Sequence, residues 1–411
     1  MNLSYQNKII ICLLLALVFG PNKTQAQGNT TIDKMAIKHM YPFYLDDESF
    51  GGEGWDKIKA YAGKHKYFII GEDHGLAEIA LFTKALIQHT DYDLFVTEID
   101  SISAVISKQL GSLTNDQIDS FHTNNPSALS FYSAREEFEL IKELSKSNAD
   151  IWGLDQVSLF STGNVLRRLN EICNSEEAKE LTAKLAKLSD QLFIEATRTA
   201  NYDTLFIYSS KQEVFDGLRE TLQKENTEAK SLLNDLEESW KIYNGVAGAN
   251  YNTRIRAMKS KLLNYYLDRS LKGRKYKKVL YKFGAYHVGK SESIFGLHDV
   301  GNFASNIAEA EGTSSYHLMV VGKKGKTNSF LLAEGMESAT FDISDKKSPL
   351  NGLLPLANLV DKKEWAYFDL KPLRISMRKG ELIIDNAFLK NTINGYDGIV
   401  IIPETTASTS Y

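Results

Sequence analysis

Apolar residues in this chain cluster in short runs rich in β-branched and aromatic side chains, separated by longer stretches with helical spacing. Residues 67–71, 94–98, 151–155 and 278–283 form such runs. Both alternating sets of positions in them are apolar, the pattern of strands buried on two faces. Between the first two runs, Leu76, Ile79, Ala80, Leu86 and Ile87 recur near a 3.6-residue period and predict a crossover helix. Before the third, Ser133 and Glu136 have the spacing of a capping box and predict a helix running from there to Ser147. Strand, helix and strand in alternation predict an α/β fold, with a mostly parallel sheet core flanked by helices.

The pattern changes near Thr162. From there to Leu271 the chain is rich in Leu, Lys, Glu and Ala and has no proline, which predicts a large helical insertion, a lid, between the third and fourth strands. Strands return after Tyr276 and give a β-rich C-terminal portion. Residues 315–321 and 329–333 flank 322–326 in a predicted hairpin, and 398–402 read as a last strand. The expected division is an N-terminal half of the core at 27–160, the insertion at 161–272, and a C-terminal half at 273–411.

Residues 1–26 have a different character. Lys8 precedes an apolar run over 9–19, then come Gly20-Pro21 and a polar stretch ending at Ala26. That is the layout of a secretory signal peptide, so the mature protein is expected in the periplasm or outside the cell. The run is shorter than the roughly 20 residues a membrane-spanning helix needs, so no membrane association is expected after its removal. Loss of Lys8 and Lys23 takes the formal charge from −4 to −6. Such mild acidity argues against a nucleic-acid or anionic-membrane surface and leaves a small molecule as the expected partner. Cys12 leaves with the signal, so Cys173 is the sole thiol and no internal disulfide is expected.

Each of the four early strands hands over to an ionisable residue. The first runs into Glu72, Asp73 and His74, the second ends in Glu98, the third in Asp155, and the fourth leads through Tyr286 to His287. In an open parallel sheet the carboxyl ends of the strands share one edge, where ligands bind, so these distant residues are expected to converge. Gly71 and Gly75 permit a tight strand-to-helix turn around His74. A helix dipole behind His74 disfavours the imidazolium, which predicts a neutral imidazole able to take up a proton, with Glu72 or Glu98 holding its tautomer. Tyr132, Arg135, Tyr251 and Tyr286 are candidate pocket residues.

These motifs together resemble the erythromycin esterase-like superfamily: Gly71-Glu-Asp-His-Gly75 with Glu78, Glu98 closing the next strand, Gly153-x-Asp155, Arg254 with Met258, His287, and the ending Tyr396-Asp-Gly-Ile-Val400. The resemblance spans residues 61–403. It implies a parallel-sheet core with a helical lid that hydrolyses esters or lactones through activated water. His74 would match the general base, Glu72, Glu98 and His287 its supporting groups, and Arg254 the lid arginine, with Glu78, Asp155 and Tyr286 on the substrate. The chain departs from the family where only Asp73 separates Glu72 from His74, where Leu76-Ala77 replace an arginine, and where Gly284-Ala285 replace a late histidine. The shorter Glu-x-His spacing is closer to the related haem-binding iron-uptake lipoproteins, so the alternative implied is a non-enzymatic haem- or iron-binding protein.

Two further patterns compete. Gly284-Ala-Tyr-His-Val-Gly-Lys-Ser291 satisfies a phosphate-loop spacing, but Tyr286 and His287 are bulky for a loop whose amides must reach phosphate, and no later strand ends in a magnesium-holding Asp. His74, His287 and Glu98 would form a ligand set with an open position if a divalent metal were present; the metal-free acid–base reading requires no cofactor.

Overall fold

A computed structural model of the chain describes residues 31–47, 49–328 and 338–411. The signal segment 1–26 and the predicted strand 329–333 lie outside these residues. Eleven strands are described: β1 (Met40–Asp46), β2 (Ser49–Gly51), β3 (Tyr67–Glu72), β4 (Leu94–Thr97), β5 (Asp150–Gly153), β6 (Val279–Gly284), β7 (Ser315–Gly322), β8 (Lys324–Thr327), β9 (Ala339–Asp342), β10 (Trp365–Asp369) and β11 (Gly398–Ile402). Nine of them form one sheet in the order β2-β1-β10-β11-β7-β3-β6-β4-β5. It is parallel from β11 through β5, and β10, β1 and β2 complete one edge antiparallel. The fold is the α/β arrangement that the apolar pattern predicts.

Two apolar layers explain why the central strands lack a polar face. Ile69, Val96, Tyr281 and Met319 point into one, with the helix Val300–Ala310 packed over them. Phe68, Ile70, Phe95, Leu280 and Leu318 point into the other, under the helices Glu53–Lys64, Ala77–His89 and Arg135–Lys146. Between β5 and β6 the chain is helical. The helices Thr162–Ile172, Glu176–Thr199, Gln212–Thr221 and Thr227–Asn244 enclose their own core around Leu166, Phe215, Leu236 and Trp240. The last helix of that region, Tyr251–Leu271, instead sets Met258 and Leu262 into the sheet's own core. A residue in its first turn is thereby held against the sheet edge.

Two local expectations fail. The helix predicted from Ser133 spans Arg135–Lys146 and is capped at Ala134 without a side-chain hydrogen bond. Its would-be box partner Glu136 instead accepts from Thr409 N and Oγ1 at 2.7 and 3.0 Å, so the C-terminal segment captured the carboxylate. The predicted turn 322–326 does not close a hairpin with β7: Lys324–Thr327 is itself a strand, paired antiparallel with β9. Cys173 is free and buried.

Candidate active site

Sheet register aligns the strand ends. Glu72 at the end of β3 lies opposite Gly284 of β6 and Val320 of β7, while Thr97 of β4 lies opposite Lys282 and Gly153. Glu72, His74, Glu98, Arg254 and His287 therefore meet at one edge, around a cavity of about 420 Å³. Two glycines make the approach possible. Gly75 has φ +81°, and a Cβ there would fall 2.3 Å from the Asn328 carbonyl oxygen. At Gly284 a Cβ would sit 2.8 Å from His74 Nε2, so the missing side chain is the space the imidazole occupies.

His74 is held on three sides. Glu72 Oε1 lies 2.9 Å from Nδ1, Glu98 Oε2 lies 3.5 Å from Nε2, and the Phe131 ring stacks on the imidazole at 4.1 Å. Burial disfavours a charge on His74, but hydrogen bonds and attraction from Glu72 and Glu98 win and lift its pKa to about 10. The expectation of a neutral imidazole is thereby corrected: the helix starts only at Ala77, and two carboxylates in contact outweigh the half-charge of a dipole. In the free site at neutral pH His74 is an imidazolium.

Glu98 is the hub. Its Oε2 accepts from Gly284 N at 2.7 Å, and its Oε1 faces Arg254 Nη2 at 2.8 Å and His287 Nε2 at 3.3 Å. Burial would raise this carboxyl, but the imidazolium of His287 and the hydrogen bonds from both histidines hold it well below the usual range. His287 also donates Nδ1 to Asp299 Oδ2 at 2.9 Å; against the cost of burial, Glu98 and Asp299 lift its pKa to about 9. Arg254 reaches Asp155 through Nε and Nη2 at 2.8 and 2.7 Å, while Nη1 has no hydrogen-bond partner among the described residues.

The other expected residues divide. Tyr286, Tyr251 and Asp73 line the cavity, and burial pushes the Asp73 carboxyl up to about 6. Asp155 does not line it and acts through Arg254. Glu78 lies apart from the cavity, accepting from Thr406 N and Oγ1 in the C-terminal segment. Tyr132 is buried beneath the site against Thr97, and Arg135 lies over the Tyr411 ring. Three contributors escaped the sequence reading. Asp299 was legible only as the cap of a late helix, Lys282 as a lysine inside an apolar strand, and Glu137 as an acid on the apolar stripe of its helix.

One expectation raised against the phosphate loop fails, since the later strand β10 does end in an acid, Asp369, whose carboxylate caps the next helix by accepting from Lys371 N. The loop spacing itself still has no matching structure. No helix opens at Lys290 or Ser291, the next one starting at Val300, and Lys290 Nζ is 2.6 Å from Asp397 Oδ2. Among the described residues no group of three or more His, Cys, Asp or Glu side chains is arranged to hold a metal ion. The Nε2 atoms of His74 and His287 both face Glu98.

No protein-family model matches the sequence, and neither does any curated protein. Solved structures match in fold. A variant of erythromycin esterase EreC in its open conformation has a TM-score of 0.58 at 13% identity, over 90% of this chain and 98% of that one. A succinoglycan biosynthesis protein has a TM-score of 0.57 at 16% identity, over 94% and 100% of the two chains. A protein from Bacillus cereus has a TM-score of 0.53 at 16% identity, over 92% and 98%. The chain therefore shares its fold with erythromycin esterase EreC across nine-tenths of its length, in line with the resemblance its motifs carry.

Proposed function

We propose that this protein is an exported hydrolase that cleaves an ester or lactone, with His74 taking a proton from the attacking water. One observation carries the reading: an imidazole oriented by buried carboxylates at the wall of a cavity of about 420 Å³. Glu72 holds Nδ1 and so fixes the tautomer, leaving Nε2 for the water. The 3.5 Å separation of Nε2 from Glu98 is longer than a good hydrogen bond, so this nitrogen is the less firmly held. Arg254, with Nη1 uncommitted, is the donor placed to stabilise an oxyanion. Both nitrogens of His287 face carboxylates, so its role is to fix Glu98. Phe295, Val321, Phe341 and Leu350 supply an apolar wall for the acyl or ring portion of a small-molecule substrate.

The carboxylates that orient His74 also retain its proton. The reactive form is the fraction that has lost it, so the rate must climb with pH until about 10. The chemistry, a water attacking a carbonyl with an imidazole as base, requires no cofactor. The fold is shared with an erythromycin esterase, and the apolar leader at residues 9–19 supports export. A panel of chromogenic esters and lactones assayed with wild type and His74→Ala tests the reading. Turnover that disappears in the variant is the expected result; turnover equal in both sinks it.

A further inference from the structure

Beneath the imidazole lies a layer of charge that the hydrolytic scheme leaves unused. Lys282 belongs to β6, every residue of which is buried, and sits opposite Ile70 of β3 and Thr97 of β4. Its neighbours on that face of the sheet, Leu280, Phe68 and Ile70, are apolar core. Lys282 is 2% exposed and Glu137 1%. The Lys282 ammonium is 2.9 and 2.8 Å from the two oxygens of Glu137 and 2.6 Å from Glu72 Oε2. At 2.6 Å the ammonium and Glu72 Oε2 form a buried ion pair, and that oxygen has no other partner among the described residues. The other oxygen of Glu72, Oε1, holds His74 Nδ1.

Stability does not account for this layer. Replacing a buried ion triad by packed apolar side chains is often neutral or stabilising by about 1–4 kcal/mol. Placement does account for it, since the ammonium sits directly behind the carboxylate that orients the imidazole. Burial alone would raise the Glu72 carboxyl, and Lys282 is the leading influence that lowers it. Other charged or titratable groups near His74 are Glu98, Arg254, His287 and Asp73; near Glu137 they are Glu72, Lys282, His74 and Tyr132.

We propose that Lys282 and Glu137 are positioning residues: the Lys282 ammonium, anchored on Glu137, fixes the Glu72 carboxylate so that its free oxygen holds His74 Nδ1. What the imidazole then does rests on the hydrolase reading, whereas the clamp stands on the contacts alone. Neither residue touches the cavity, so both act through Glu72.

The test reads the imidazole directly. In the wild type, a downfield imidazole N–H proton resonance, identified by its loss in His74→Gln, reports the Nδ1–Glu72 contact. The double variant K282M/E137Q removes the ammonium and its anchoring charge together, and urea melts with near-ultraviolet circular dichroism confirm its fold. The resonance is expected to broaden beyond detection, and ester turnover to fall about tenfold or more with KM within about twofold, because a loosened base is a misplaced one. If the double variant does not fold, E137Q alone, which keeps the ammonium, is expected to move or broaden the same resonance. An unmoved resonance in either folded variant overturns the clamp, whatever the rate does. Loss of the resonance with turnover intact upholds the clamp and removes His74 from the chemistry; if the wild type hydrolyses no ester, the resonance alone decides.

Discussion

His74→Gln removes a charge whose value to the fold can be worked from its surroundings. The imidazole rises from an ordinary pKa of 6.5 to about 10 between Glu72 and Glu98. At about 1.4 kcal/mol per pH unit that is about 5 kcal/mol of preference for the folded state when protonated. The side chain keeps 30% of its surface exposed, and solvent screening roughly halves the figure, to about 2–3 kcal/mol. The sign follows from linkage. A pKa raised on folding gives stability that is complete below the unfolded pKa of 6.5 and lost as pH rises toward 10. Urea unfolding at pH 6 and pH 10 measures it: the wild type should lose about 2–3 kcal/mol more than His74→Gln between the two. Asp73, pushed by burial to about 6, and Glu137, pushed by burial to about 7, also titrate at the low end of this window, but both are present in the two proteins and largely cancel in the difference. Equal losses in the two proteins would show that the carboxylates do not hold an imidazolium, and the electrostatic description of the site would fall.

Glu98→Gln leaves Arg254 and His287 facing a neutral amide in a buried place, so urea melts at pH 7 should record a loss of about 3–5 kcal/mol. Gly284→Ala places a Cβ 2.8 Å from His74 Nε2; the part-exposed imidazole must move, so ester turnover should drop about a hundredfold while the melting temperature changes little. Dialysis against a chelator, followed by elemental analysis, should leave ester turnover unchanged; turnover that vanishes and returns with one added divalent ion would replace the imidazole-base scheme with a metal-based one.

Much of the fold was legible because the physics of a two-sided sheet leaves a mark on every position of a strand. All six residues of β3 are buried, and so are all six of β6, hence apolar runs on both faces that only Lys282 and the terminal Glu72 interrupt. The convergence of His74, Glu98 and His287 followed from topology, since parallel strands bring their carboxyl ends to one edge. What escaped depended on partners that local sequence cannot name. The spacing of Ser133 and Glu136 was right for a capping box, yet Thr409 took the carboxylate. Lys282 and Glu137 looked like an interruption of apolar patterns because, among the described residues, the ammonium is satisfied only by Glu137 and Glu72, and Glu137 only by that ammonium. The charge state of His74 was read from the helix behind it, whereas the carboxylates beside it decide the matter. The antiparallel edge leaves a weak periodic signal, because β2 has only three residues and β1, though seven long, carries Pro42 and buries only Phe43.

The most direct measurement is kcat/KM for a responsive chromogenic ester across pH 6–10, for wild type and His74→Gln side by side. Wild-type activity should rise about tenfold per pH unit and level off near 10, and the variant should show no such rise above background hydrolysis. A variant that follows the wild-type curve would show that the imidazole between Glu72 and Glu98 is not the base.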